Sequence, residues 1–423
     1  MATYHSTRSR TAQLSAKEAI RRGIAPDGGL YVSDELGQSK IDLEGLANKD
    51  YFELAREVLG TLLPDYTADE IAACVDEAYG SSFASDEVTP VVDLKGVAGE
   101  ADQGSASTYV MELWHGPTSA FKDMALQMLP HLLSASLVKN QEEKTVCILV
   151  ATSGDTGKAA LEGFKDVDKT RILVFYPKDG VSAIQELQMN TQEGDNVGVC
   201  SVAGNFDDAQ TGVKRLFSDE ALREKLAGRG FFLSSANSIN WGRVLPQIVY
   251  YISAYCDLLR EGRIQKGERI NVCVPTGNFG NILAAYYARE MGVPIGRLIC
   301  ASNSNNVLTD FLCTGVYDRN RTFYNTMSPS MDILISSNLE RLLFSLSNHD
   351  DAEARGYMEE LARSGRYEVS PAIKGRLEKL FAAGFCDDAQ TQKVIGRMWQ
   401  EHRYLIDPHT AVGFSALSQY RAE

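Results

Sequence analysis

The chain has 423 residues, 44% of them hydrophobic, enough to bury a large core in about two or three domains. Its net charge of −14 is spread without a long block of one sign, which excludes a sequence-independent nucleic-acid binder and a polybasic membrane anchor, so any anionic ligand must be held by local donors. No stretch of 18 apolar residues occurs, and the opening MATYHSTRSRTAQ has no apolar h-region, so neither membrane insertion nor secretion is expected.

Up to about residue 90 the patterns are mostly helical, as in SAKEAIRRGI, YFELAREVLGTLL and DEIAACVDEAY, broken by the turn PDGG at 26–29. This predicts an N-terminal helical subdomain over 1–90, followed by a second region over 91–423. In GPTSAFKDMALQ, residues 116–127, Lys122 stands between a turn-forming run and a helix whose apolar positions continue through Met124, Met128, Leu129, Leu132, Leu133 and Leu137. From 145 onward, short β-rich runs alternate with helical ones: TVCILVAT then GKAALEGF, RILVFYP then SAIQELQMN, NVGVCSVAG then DDAQTGVKRLF. The alternation continues through GFFLSSAN, the helix WGRVLPQIVYYISAYCDLL, RINVCVPTG, NILAAYYAREM and RLICASN. This is the syntax of an α/β protein with mostly parallel, helix-covered sheets, split over two subdomains, the smaller at about 135–230. The eight cysteines include no CxxC pair, and Cys147, Cys200, Cys273 and Cys300 lie in runs that read as buried strands, so reduced core thiols and a cytoplasmic location are expected.

Ligands of open parallel sheets bind beyond the carboxyl ends of the strands, where helix N-termini face outward. Here those ends are polar and glycine-rich: TSGDTG at 152–157, ANSIN at 236–240 and TGNFGN at 276–281, which predicts one shared crevice. TGNFGN, between a strand and a helix, offers unobstructed backbone N–H groups to a phosphate. SGDTGK fails the P-loop pattern, because Thr152 stands where it needs glycine and Ala159 where it needs Ser or Thr. No GxGxxG marks a dinucleotide site there, and small donors for a carboxylate remain. In SSANSINWGR, Asn237, Ser238 and Asn240 can donate at a helix entrance and Arg243 can grip an anion with both arms of its fork, whereas capping alone would account for one of these residues. Lys122 has two readings: a lysine snorkelling to water, or an amine whose charge is disfavoured beside a helix N-terminus, as a Schiff-base lysine requires. An aldehyde carrying a phosphate would unite Lys122 with the turns. Six scattered histidines give no metal cluster, and no GxSxG elbow flags a serine nucleophile.

Eight segments in order carry a resemblance: YHSTR (4–8), APDGGLYV (25–32), ELWHGPTSAFKDMALQ (112–127), ATSGDTGKAA (151–160), SSANSINWGR (234–243), PTGNFGN (275–281), SPSMDI (328–333) and DPHTAVG (407–413). Together they are similar to the threonine synthases, in their longer bacterial and fungal branch, within the fold-type II pyridoxal phosphate enzymes of tryptophan synthase β-like architecture. The resemblance implies that 91–423 is the catalytic region, that the cofactor is pyridoxal 5′-phosphate, and that Lys122 binds its aldehyde and later shuttles protons. It implies that Gly277, Asn278, Phe279, Gly280 and Asn281 hold the cofactor phosphate and that Thr410 faces the pyridine nitrogen. Asp155 stands in SGDTG where relatives often carry the asparagine of SGNTG, which contacts the cofactor hydroxyl. The implied substrate is O-phospho-L-homoserine, with Ser153 and Thr156 as carboxylate donors and Asn237, Ser238 and Arg243 toward its phosphate. A phospho-lyase releasing 2-oxobutyrate would carry nearly identical motifs. A homodimer or a monomer is compatible with the sequence, and no nucleic-acid or membrane partner is expected.

Overall fold

The computed structural model describes residues 3–95, 107–152 and 154–422. Two parallel sheets organise it. The first has four strands in the order Val197–Val202, Thr170–Pro177, Thr145–Ala151, Phe231–Ser234. The second places Ile295–Ser302 between Ile270–Pro275 and Phe381–Phe385. Parallel strands need crossovers, and the helical runs read from the sequence supply them; Asp155–Phe164, for instance, packs on Thr170–Pro177.

The long helix Trp241–Arg260 is buried along most of its length, and it packs against Gly280–Glu290, Tyr51–Leu62 and the segment after Lys122. A helix apolar on so many sides belongs in the middle of a core. The last helix, Pro408–Ala422, lies on all three strands of the second sheet.

Three features depart from the sequence reading. Residues 1–90 are not only helical, because Tyr4–Ser6 pairs antiparallel with both Ser9–Leu14 and Tyr31–Ser33. These strands have three to six residues, too short for an alternating pattern to stand out. The strand Phe381–Phe385, FAAGF, follows the helix Pro371–Leu380 without a loop, and its alanines and glycine carry no β signal. Cys200 is exposed, since its strand lies at the edge of the first sheet. All eight cysteines are free.

Candidate active site

Three strand ends converge on one cleft of about 2630 Å³, which the parallel-sheet rule anticipates. Lys122, Asp155, Thr156, Asn237, Ser238, Arg243, Gly277 to Asn281 and Thr410 all line it. Ser153 lies outside the described residues.

Lys122 is set by the turn before it. The buried Asp123 carboxylate accepts the Thr118 hydroxyl at 2.6 Å and the Thr118 and Ala120 amides at 2.9 and 3.4 Å, winding GPTSAFKD around itself. Gly116 is required there, because a Cβ would meet the Asp123 side chain at 2.5 Å. Lys122 thus becomes the N-cap residue of Asp123–Leu126, a short helix buried on every side, and its amine turns into the cleft 4.8 Å from the Phe121 ring centre. Burial disfavours its charge and lowers its pKa from the ordinary lysine value; Asp155 opposes this, while Arg243 and Lys158 reinforce it.

The amine donates to Ser330 Oγ at 2.7 Å, and Ser330 Oγ donates to Asp155 Oδ2 at 2.9 Å, leaving Lys122 Nζ and Asp155 Oδ2 3.7 Å apart. Gln185 Nε2 donates to the other Asp155 oxygen at 2.8 Å, and Lys158 Nζ lies 3.9 Å from it. Burial alone would raise the Asp155 pKa; Lys122, the Ser330 hydroxyl, His409 and Lys158 outweigh it and hold this carboxyl well below its usual range. Asp155 is therefore an anion facing the lysine.

Across the cleft, TGNFGN leads into the helix Gly280–Glu290. Phe279 is its N-cap residue, in the left-handed conformation at φ 64°, and its buried ring packs on Phe381. That kink aims the helix N-terminus, with amides that lack an intrahelical acceptor, at the cleft. The Asn281 Oδ1 is engaged, because it accepts from both the Tyr250 and Tyr251 hydroxyls. Its backbone N–H and its side-chain Nδ2 remain to offer. A Cβ on Gly277 would come 2.6 Å from the Ser330 carbonyl oxygen, so that glycine is needed for close approach.

At the third strand end, Asn240 caps the helix Trp241–Arg260 through Gly242 N at 2.9 Å, so capping is its role. Asn237 is exposed at the rim, and the Ser238 hydroxyl sits 3.4 Å from that of Ser337. Arg243 is buried, donates from Nη1 to Ala236 O at 2.7 Å, and keeps an Nε with no partner among the described residues. Burial pushes its pKa down to about 10, so at neutral pH it remains a cation waiting for an anion.

Thr410 lies in the first turn of the last helix, and its amide donates to Asp407 Oδ1 at 3.0 Å. The resemblance gave no role to Ser330, Gln185, Lys158 or His409. They lie in or near quoted runs, but only tertiary contact joins them to Lys122.

The arrangement fits a phosphorylated aldehyde: an amine of reduced basicity, an unobstructed helix N-terminus facing it, and a glycine cradle. Residues 3–79 match the family model described as threonine synthase N terminus, and residues 84–374 match that of the pyridoxal-phosphate dependent enzymes. Threonine synthase of Pseudomonas aeruginosa is 39% identical over 99% of this chain and 84% of its own length. The chain belongs to the threonine synthase family. Its cofactor is accordingly pyridoxal 5′-phosphate, and a solved structure of pyridoxal phosphate-bound threonine synthase from Brucella melitensis superposes with a TM-score of 0.90 at 38% identity, over 99% of this chain and 86% of that one. The human protein named threonine synthase-like 1 is 41% identical over 95% of this chain, and the chain spans 54%, about half, of that relative. Among the described residues no cluster of metal-ligating side chains occurs, and no helix is long and apolar enough to cross a membrane.

Proposed function

We propose that the protein is a threonine synthase, converting O-phospho-L-homoserine and water to L-threonine and phosphate. The observation that carries this reading is a second buried cation, Arg243, with an unpartnered Nε in the same cleft as Lys122 and the TGNFGN helix end. The helix end serves the cofactor phosphate, so a second anion grip favours a substrate that carries its own phosphate.

Bound in the cleft, pyridoxal phosphate supplies an electron sink for negative charge developing on the substrate carbons. Backbone N–H groups of Gly277, Asn278, Phe279, Gly280 and Asn281 would hold its phosphate, Lys122 Nζ would join its aldehyde carbon with loss of the aldehyde oxygen as water, and the Thr410 hydroxyl would face its ring nitrogen. Asp155 supplies the counter-charge to Lys122. The Arg243 fork, with Asn237 and Ser238 at the rim, holds the substrate phosphate and then the leaving phosphate. Thr156, at the start of the helix Asp155–Phe164, would receive the substrate carboxylate together with Ser153. Once the substrate amine takes its place at the aldehyde carbon, the freed Lys122 amine would be the base that moves protons at the α-, β- and γ-carbons, because burial lowers its pKa and leaves it able to accept them. Water added at the β-carbon completes threonine.

The test is a product balance on the purified full chain given pyridoxal phosphate and O-phospho-L-homoserine, with phosphate, threonine and 2-oxobutyrate measured together. Threonine is expected to equal phosphate. If 2-oxobutyrate equals phosphate instead, the elimination is right and the hydration wrong, and the protein is a phospho-lyase.

A further inference from the structure

A line of hydrogen bonds reaches Lys122 from the far end of the chain. Asp407 Oδ2 and His409 Nδ1 are 2.6 Å apart, and His409 Nε2 accepts the backbone N–H of Ser330 at 3.2 Å. Because Nε2 accepts, the neutral ring carries its proton on Nδ1, where Asp407 receives it. Burial alone would raise the Asp407 pKa, but hydrogen bonds from His409 and Thr410 bring it down to about 2, so this end of the line stays anionic. On its other side the turn bearing Ser330 is fixed by Asp332, whose carboxylate accepts from Thr326, Asn303 and Asn305 at 2.7 to 3.0 Å. Ser330 is therefore held from both sides, with its hydroxyl between the Lys122 amine and Asp155.

We propose that Ser330, set in place by His409, is a positioning residue whose hydroxyl is the partner of the Lys122 amine whenever that amine is free and governs how readily it gives up its proton. The inference rests on the reading of Lys122 as the reactive amine. An ammonium has only protons to offer and a carboxylate only lone pairs, so a hydroxyl between them accepts from one, donates to the other, and favours the charged lysine. Without it, Lys122 retains Asp155 at 3.7 Å and the face of Phe121, neither of which takes a short hydrogen bond from the amine. The other charged or titratable groups around the amine are the cations Lys158 and Arg243 and the His409 imidazole. The two cations Lys158 and Arg243 favour the neutral amine, so losing the hydroxyl tips the balance that way.

The experiment is competitive acylation of the cofactor-free full chain across pH 6 to 11, with the modification of Lys122 quantified by mass spectrometry against the exposed Lys266. Ser330→Ala is expected to lower the apparent pKa of Lys122 and raise its acylation at pH 8 by about three- to tenfold. Ser330→Thr, which restores a hydroxyl, returns the profile toward wild type. His409→Ala shifts it in the same direction by less, and the double variant Ser330→Ala/His409→Ala goes no further than Ser330→Ala alone. An unchanged Lys122 profile in Ser330→Ala overturns the proposal, as does a His409 effect that adds in full to that of Ser330. The role of Lys122 itself is read separately, from loss of the visible absorbance of the loaded protein in Lys122→Ala, so the two ideas fail independently.

Discussion

Arg243 shows how a single side chain separates binding from folding. Its Nη1 donates to the Ala236 carbonyl while its buried Nε has no partner among the described residues, so part of the guanidinium is structural and part is unused. Replacement by Lys keeps the charge and loses the planar fork. We expect Arg243→Lys to reduce kcat/KM on O-phospho-L-homoserine by about 10- to 100-fold, chiefly through KM, with pyridoxal phosphate affinity within about twofold of wild type. Steady-state kinetics alongside a cofactor titration would check it, and an unchanged KM would place the substrate phosphate elsewhere. At this scale the sequence is informative where chemistry is local. Lys122 and TGNFGN are legible because each site feature lies within one short run. Ser330 is not, because its partners Lys122, Asp155 and His409 lie 208, 175 and 79 positions away and a serine in SPSMDI looks like any turn residue.

Among the elements, the helix Asp155–Phe164 packs closely on the segment that follows Lys122. A Cβ at Gly163 would overlap the carbonyl of Leu126, in the same short helix that begins after Lys122. That contact would be between a Cβ, fixed by its own backbone, and a backbone carbonyl, so neither partner can rotate away. Gly163→Ala is expected to destabilise the fold by about 2–3 kcal/mol and to lower cofactor affinity by displacing Lys122. Thermal unfolding and a cofactor titration together would test this; an unaltered Tm would mean that the two helices separate without cost. The helices and strands between 145 and 302 could be read from the chain because strong β-branched runs alternate with apolar stripes of helical spacing. FAAGF and the short strands at the N-terminus could not, because tertiary pairing rather than propensity makes them strands.

For the molecule as a whole, a cleft of about 2630 Å³ exceeds the roughly 300–1,000 Å³ typical of a small-molecule pocket. A reaction that must admit water only after elimination is served by a narrower site. Saturation with pyridoxal phosphate and an unreactive phosphonate analogue of the substrate is expected to shrink the radius of gyration and slow proteolysis. Identical scattering curves with and without the analogue would show that the cleft works open. One part of the cleft has no such adjustment to make. Phe279 already holds its left-handed turn, wedged on Phe381, and the amides behind it are aimed before any ligand arrives. The chain took its loss of freedom there once, during folding. Capture of the cofactor phosphate should then have the kinetics of a collision with a finished socket, sensitive to ionic strength and viscosity and indifferent to loop rearrangement.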